Sequence, residues 1–251
     1  DSLRDSDAYL QALPHSEAAA RALANWGMAH LHELPQADKP ALSAVKLHSP
    51  VSVRALFDFG LTPRHLANSI NTLAKYEQDN PQIAGLIEAM RKMVAEGMDL
   101  NDDLDDDTTL LEEVIGEICA AEGTPRYDVV REMLALGADP KRLSEKGSSP
   151  LFAALLTMDY EMLQILLEAG ADPNAMVMDS EFESLYDWAE GDYQIEVWGE
   201  DPLPERPKPE VVAYPDDLNE FLDALAVKHT KLRPDHLKLL RKFGALRMAE
   251  T

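Results

Sequence analysis

Six aspartates lie within nine residues, in the stretch DLNDDLDDDTT that runs from Asp99 to Thr109. Carboxylates at this density repel one another, so the clustering is costly unless a cation lies beside it. The chemistry that such a stretch offers is the binding of a lysine, an arginine or a metal ion. Two interpretations remain open: a socket for the basic side chains of a partner, or a solvated acidic loop. The candidate contacts are Asp102, Asp103, Asp105, Asp106 and Asp107.

As a calcium loop, this stretch is incomplete. Counted from Asn101, positions 1, 3, 5 and 12 hold the oxygen donors Asn101, Asp103, Asp105 and Glu112. Position 6 holds Asp106, whereas the sharp turn of an EF-hand loop needs glycine there. We therefore expect no specific calcium site.

A second acidic segment, residues 179–201, carries aromatic rings among its carboxylates. It has nine acidic residues, five aromatic residues and no lysine or arginine. We expect Leu185 and Trp188 in the core, and Tyr193 and Trp198 partly exposed. Rings bordered by carboxylates suit an arginine-rich surface through cation–π contact and charge pairing. Alternatively, the rings pack the proline-rich segment that follows onto the last helices. The candidate contacts are Tyr193, Trp198, Glu181 and Glu183.

The other reactive side chains form no catalytic or metal-binding pattern. His30 and His32 are two residues apart on a predicted helix and point to different faces, and the other five histidines are scattered. The sequence has no zinc-ligand spacing, no glycine-rich phosphate loop and no serine or cysteine nucleophile motif. Cys119, the single cysteine, lies on an apolar helical face and is expected to be a buried structural thiol. We therefore predict a protein that is not an enzyme and needs no metal or cofactor.

Composition and charge favour a helical protein with a protein partner. The 251 residues are 45% hydrophobic and rich in helix formers, with few β-branched runs. The formal net charge of −23 repels nucleic-acid backbones and anionic membranes, and suits a basic protein or simply aids solubility. No segment has the apolar length to cross a bilayer. A cytoplasmic location is expected, and because the chain starts at Asp1 a periplasmic one, after removal of a secretion signal, stays open.

The elements that position these residues are marked by a repeated stretch, Gly-Ala-Asp-Pro. It occurs at Gly137 and, 33 residues later, at Gly170. Glycine tolerates the left-handed conformation that ends a helix, and a proline that follows it cannot continue the helix. Between the two glycines, Ser149 and Pro150 fit the cap and first position of one helix. A second helix has one apolar face, formed by Met162, Ile165, Leu166 and Leu167.

This unit resembles the ankyrin repeat, in which a Thr-Pro-Leu-His helix start precedes a second helix that ends in leucines, then Gly-Ala-Asp and a hairpin loop. Ser149-Pro150-Leu151 and both Gly-Ala-Asp stretches match over residues 133–175. The resemblance implies an all-α fold, an α-solenoid of stacked ankyrin-like helix-turn-helix repeats. It also implies that residues 99–109 form a hairpin loop at the partner-facing edge. The histidine of the motif is absent, which indicates divergent repeats; its four positions hold Ala74, Leu111, Phe152 and Tyr186.

The spacing of glycines and leucines extends the pattern along the chain. Four glycines precede leucines by 13 (60 to 73), 13 (97 to 110), 14 (137 to 151) and 15 residues (170 to 185). These near-equal offsets, with Gly244 as a last helix stop, predict four to five divergent repeats over residues 48–251. Residues 1–47 are expected to form an N-terminal helical cap, since a terminal repeat needs a solvated outer face. A proline-rich insertion near residues 199–217 is predicted to be an ordered loop or a mobile linker.

Three functions from different classes remain open. We expect a protein–protein interaction module whose acidic side grips a basic protein, and no binding of nucleic acid or membrane. A more specific form of this function is inhibition of that protein. In its acidic, irregular repeats the chain is similar to bacterial immunity proteins, which block the active surface of an effector toxin. The alternatives are a general scaffold or chaperone that inhibits nothing, and an enzyme with a carboxylate-based site.

Overall fold

A computed structural model of the chain describes residues 87, 90, 91, 94, 95, 99–101, 108–120, 125–175, 184–199 and 203–250. The predicted N-terminal cap, residues 1–47, lies outside the described residues, and so do Gly60, Leu73 and Gly97. The chain divides into two compact units, an N-terminal unit of Asp1–Ala138 and a C-terminal unit of Asp139–Thr251.

Every regular element of the described residues is helical, which confirms the all-α prediction. In the N-terminal unit, α1 spans Leu110–Ala120 and α2 spans Tyr127–Ala135. In the C-terminal unit, the helices are α3 Pro150–Leu155, α4 Tyr160–Glu168, α5 Leu185–Trp198, α6 Pro209–Val212, α7 Pro215–His229, α8 Asp235–Lys242 and a 3-10 helix at Met248–Glu250. The consecutive helices α1 and α2 pack together, as do α3 and α4, and α8 packs against α4, α5 and α7.

Three glycines end helices in the same way. The φ angles of Gly137, Gly170 and Gly244 are +102°, +98° and +92°, in the region that favours glycine. Each glycine N–H donates to the carbonyl three residues earlier, and the next alanine N–H donates to the carbonyl five residues before it. This is the Schellman arrangement, and its alanine and the matching helix residue are both buried. The predicted helix stops at these three glycines are confirmed.

Hydroxyl side chains cap the N-termini of three helices, α1, α3 and α5. Thr109, Ser149 and Ser184 each accept a hydrogen bond from the backbone N–H three residues later, at 3.2, 3.1 and 3.1 Å. Such caps satisfy one of the free N–H groups of a first helical turn. The predicted helix-opening leucines are fully buried: Leu110, Leu151 and Leu185.

The loops after the glycine stops are tied to the next repeat by asparagine. Asn101 Nδ2 donates to the Gly137 carbonyl, and Asn174 Nδ2 donates to the Gly244 carbonyl, each at 3.0 Å. Asn174 Oδ1 also accepts from the Leu246 N–H at 2.8 Å. One amide side chain thereby bridges two consecutive loops, which gives each stack of helices a hydrogen-bonded edge.

Lysine replaces this asparagine in the loop between them. Lys141 keeps the local turn, because its N–H donates to Asp139 Oδ1 at 2.9 Å. Its side chain does not bond the Gly170 carbonyl; instead, Lys141 Cε lies 3.8 Å from where a Cβ on Gly170 would be. The bridge between loops is therefore missing at this position of the C-terminal unit.

The proline-rich insertion contains helices, so the prediction of a loop through residue 217 is wrong from Pro209 onward. Pro209 and Pro215 occupy the first turns of α6 and α7, where their fixed φ suits a helix and no N–H is needed. The buried residues of α7 include Leu218 and Leu222, and the helix packs against α8. The insertion thus contains the whole of α6 and the first turn of α7.

Candidate protein-binding site

The predicted contact residues fall into two groups. Those outside the described residues are Asp102, Asp103, Asp105, Asp106, Asp107, Glu181 and Glu183. Tyr193 and Trp198 are described and lie on α5. Tyr193 is fully buried, so the prediction that it is a partly exposed contact is wrong. Trp198 is half-buried, with its ring packed edge-on against His229 at 5.9 Å between centroids.

The burial of Tyr193 follows from its register on α5. Leu185, Ala189 and Tyr193 are spaced by four residues, so they share one helix face, and all three are buried. The Tyr193 hydroxyl donates to the Leu232 carbonyl at 2.6 Å, which satisfies its polar end. Its burial raises the pKa of Tyr193 to about 12, so the hydroxyl stays protonated and keeps this hydrogen bond. The spacing of four was the signal in the sequence that could have placed this ring inside.

A second buried tyrosine fixes the first turn of α5. The Tyr186 hydroxyl donates to Asn219 Oδ1 of α7 at 2.9 Å. The guanidinium groups of Arg241 and Arg247 lie 5.7 and 6.0 Å from the centre of the Tyr186 ring, within cation–π range. Burial raises the pKa of the Tyr186 phenol. These contacts hold α5 in one orientation against α7 and the C-terminal segment.

Arg247 neutralises two of the four carboxylates of α5. Its guanidinium pairs with Glu190, lies 3.8 Å from Asp187 and donates to the Val212 carbonyl at 2.7 Å. Asp187 also accepts the Met248 N–H at 2.8 Å, so this carboxylate joins α5 to the chain end. Burial raises the pKa of Glu190, and the charge of Arg247 opposes that shift.

The side of α5 that faces away from the Arg247 ion pairs is partly exposed, and it combines apolar side chains with carboxylates. Trp188, predicted to be in the core, is half-buried and packs edge-on against Phe152 of α3, with ring centroids 4.7 Å apart and planes at 64°. Ile195 is 59% exposed and Leu156, just after α3, is 57% exposed. We call this surface the inner-helix face and define it by Phe152, Leu156, Trp188, Asp192, Ile195 and Glu196.

Among the described residues, no cation pairs with the two carboxylates of the inner-helix face. Within the described part of the chain, neither Asp192 nor Glu196 takes part in an ion pair or hydrogen bond, in contrast to Asp187 and Glu190 on the same helix. Partial burial raises the pKa of Asp192, and the charge of Glu196 raises it further. The face therefore offers unneutralised negative charge next to an aromatic ring and exposed aliphatic side chains.

A shallow, widely open cleft of about 330 Å³ lies between α4 and α8. Its described lining consists of Tyr160, Asp235, Lys238, Leu239 and Lys242. Lys238 pairs with Asp223 at 2.6 Å. Among these described lining residues there is no histidine, cysteine or serine, and no nucleophile is paired with a base.

Two further findings concern the described residues alone. Their His, Cys, Asp and Glu side chains form no group of three or more that could hold a metal ion. None of their helices combines the length and apolar character needed to span a membrane.

Comparison with known proteins identifies one repeat directly. Residues 146–176, which include α3, α4 and the stop at Gly170, match the family model of the ankyrin repeat. The solved structure of the ankyrin repeat domain of Bcl-3, a member of the IkappaB protein family, is similar at 19% identity and a TM-score of 0.47, over 78% of this chain and 86% of that chain. Those values are too low to support a conclusion about function. No curated protein matches the sequence.

Proposed function

We propose that this chain, an ankyrin-repeat protein, binds a basic protein through its inner-helix face and inhibits that protein. The ankyrin repeat at residues 146–176 supports a protein–protein interaction module. The basic partner and the inhibition are the parts that we add. One observation supports the basic partner: among the described residues, two carboxylates of α5 have no ion-pair partner and lie near exposed apolar side chains, while Arg247 pairs with the other two.

The inner-helix face has the mixed character of a protein-binding surface. Leu156 and Ile195 expose more than half of their surface, and the Trp188 ring packs against Phe152, one helical turn before Leu156. Aromatic anchors bordered by charged groups dominate the binding energy of many interfaces. Because Asp192 and Glu196 have no ion-pair partner within the described part of the chain, a basic partner would lower their electrostatic energy, whereas an acidic one would raise it. The charge thus selects the partner and the apolar area supplies affinity.

The Asp-rich stretch is the second proposed contact of the same partner. Asp102, Asp103, Asp105, Asp106 and Asp107 carry five negative charges within six residues. Glu181 and Glu183, just before α5, add two more. With a net charge of −23, the chain would attract a basic protein over a distance and accelerate the encounter, in a way that salt weakens. Fast association of this kind suits an inhibitor that must neutralise its target quickly.

The test starts from the protein encoded next to this chain. It is co-expressed with the full chain, co-purified, and assayed for binding by calorimetry at low and high salt. The variant Asp192→Lys with Glu196→Lys should lose binding by about tenfold or more, since two close charge pairs become repulsive. The matched control is Glu210→Lys with Glu220→Lys, which makes the same charge change at exposed positions of α6 and α7.

Binding and inhibition are then separated. If the partner's own activity falls in proportion to the complex formed, the chain is an inhibitor; if activity persists in the complex, it is a scaffold or chaperone. Equal loss of binding in the α5 variant and in the control would contradict the inner-helix face as the contact. For the second contact, Asp103, Asp105 and Asp106 are reversed to lysine together, and unchanged affinity in a folded variant would remove that stretch from the interface.

A further inference from the structure

The inner-helix face contains one place where the geometry selects a particular basic side chain. We infer that the partner inserts an arginine there, with its guanidinium stacked on the Trp188 indole and paired with the carboxylate of Asp192, while the charge of Glu196, one turn further along the helix, attracts it at longer range. The inference rests on the proposed function, because it names the residue by which the partner of that same face is anchored.

Trp188, Asp192 and Glu196 form a single stripe on α5. They follow one another at intervals of four residues, so each lies about one turn, or about 6 Å, from the next along the helix. A guanidinium that stacks on the indole has Asp192 one turn away and Glu196 two turns away. Ile195 lies beside the stripe with 59% of its surface exposed and could contact the aliphatic part of the same side chain.

The indole is held in place before any partner arrives. Phe152 packs against it edge-on at 4.7 Å, and the backbone N–H of Phe152 donates to the Ser149 cap at 3.1 Å, which fixes the start of α3. Ser184 fixes the start of α5 through both its hydroxyl donor and its acceptor, at 2.9 and 3.1 Å from Asp187. A ring that is already positioned loses little conformational entropy when a ligand stacks on it.

The carboxylates distinguish this stripe from the rest of α5. Asp187 and Glu190 are already paired with an arginine of the chain itself, Arg247, whose guanidinium also lies 6.0 Å from the Tyr186 ring. On the other side of the helix, an aromatic ring and two carboxylates recur, and no guanidinium of the described residues pairs with them. Partial burial and the charge of Glu196 raise the pKa of Asp192. A cation at this position would therefore lower the electrostatic energy of the ionised Asp192 carboxylate.

Arginine suits this stripe better than lysine. Its planar guanidinium stacks on an aromatic face and still presents N–H donors at its edge for carboxylates. A lysine ammonium is more strongly hydrated and cannot stack and form a forked pair at once. The stripe should therefore prefer arginine over lysine by about fivefold or more, the ratio that a difference of about 1 kcal/mol gives.

The probes are N-acetyl-arginine amide and N-acetyl-lysine amide, titrated into the ¹⁵N-labelled full chain and followed by NMR. Trp188→Phe assigns the Trp188 indole N–H signal. The arginine probe should shift that signal with an affinity at least about fivefold higher than the lysine probe. Asp192→Asn with Glu196→Gln should weaken the arginine probe by a similar factor. Glu210→Gln with Glu220→Gln, the matched control, should leave the titration unchanged.

Equal affinities for the two probes, or no shift of the Trp188 signal by either, would overturn the inference. Both results leave the proposed function open to its own test, since a lysine-bearing partner could still bind the face and respond to the charge-reversal variants. Conversely, an arginine-selective shift combined with an unaffected partner complex would retain the inference about the stripe and refute the proposed docking face.

Discussion

A buried histidine makes the C-terminal unit sensitive to mild acid. His236, in the first turn of α8, is 3% exposed, and its Nε2 has no hydrogen-bond partner. Its ring packs against Tyr193 of α5 with centroids 5.5 Å apart. Burial lowers the pKa of His236 from 6.5 to about 4, because a charged imidazole would lose its hydration there.

The sign and size of the effect follow from the difference between folded and unfolded pKa. Above pH 6.5 both states hold neutral His236 and the full stability is present. As the pH falls from 6.5 towards about 4, the unfolded state binds the proton first, so the free energy of unfolding decreases. At about 1.4 kcal/mol per pKa unit, the shift removes about 3 kcal/mol, a large part of the stability of a small domain.

The assay is urea unfolding of the full chain at several pH values between 7 and 4, followed by tryptophan fluorescence. A Trp26→Phe background leaves only Trp188 and Trp198, so the signal reports on the C-terminal unit. His236→Leu should remove the acid-induced loss and change stability little at pH 7, since it replaces an unpaired buried polar group by an apolar one. His229→Gln, at an exposed histidine, should keep the loss.

Comparison of variants is needed because carboxylates also titrate in this range. Asp223, held by Arg233 and Lys238, has a pKa lowered to about 2 and stays ionised throughout. Asp192 and Glu190 have raised pKa values, so acid favours the folded state through them, with the opposite sign. If His236→Leu shows the same pH dependence as the parent protein, the imidazole is not the group responsible and the reasoning fails.

Three backbone and loop predictions concern stability, each measured by urea unfolding at pH 7. Gly170→Val should lower the free energy of unfolding by about 2–3 kcal/mol, because a β-branched residue is strained at φ +98°. If this variant were as stable as the parent protein, the repeat assignment would be contradicted. As a comparison, Gly191→Ala, inside α5, should raise the free energy of unfolding by about 0.5–1 kcal/mol. Asn174→Ala should lower it by about 1–2 kcal/mol, since two hydrogen bonds between loops are lost. Lys141→Asn should raise it by about 1 kcal/mol if the missing bridge to the Gly170 carbonyl forms, and a loss of stability would show that the lysine stem is needed over that glycine.

The sequence predicts the helix ends well because they depend on a few local residues. Gly137, Gly170 and Gly244 share one hydrogen-bonding pattern that requires a positive φ, and glycine reports that requirement directly. The N-terminal caps at Ser149 and Ser184 are also local features, because each depends on one hydroxyl residue placed just before its helix. The helix that begins at Pro215 is not predicted from the sequence, because a high density of proline indicates a loop as readily as it indicates a first helical turn.

Which face of α5 is buried depends on tertiary contacts, and here composition misled. Tyr193 and Trp188 are both large aromatic residues, and segment composition alone assigned the wrong one to the surface. Tyr193 is inside because the Leu232 carbonyl accepts its hydroxyl, a partner 39 positions away in the chain. Trp188 is half-buried, and Phe152 of α3 packs edge-on against its ring. Helical periodicity from Leu185 does not distinguish them, because Trp188 at i+3 and Tyr193 at i+8 both lie within the same broad helix face.

A large negative charge does not by itself locate a binding site. Arg241 and Arg247 neutralise acidic groups around Tyr186, and Arg233 and Lys238 do so at Asp223, so many carboxylates of the C-terminal unit already have cations. What identifies a surface for a basic partner is the remainder, the carboxylates that the fold exposes and leaves unpaired. On α5 that remainder is Asp192 and Glu196, and it coincides with the exposed apolar residues of the same helix. A partner could bind Asp192 and Glu196 without breaking the ion pairs of Arg247 with Asp187 and Glu190. The inner-helix face can therefore bind a cation without loss of the contacts that stabilise α5.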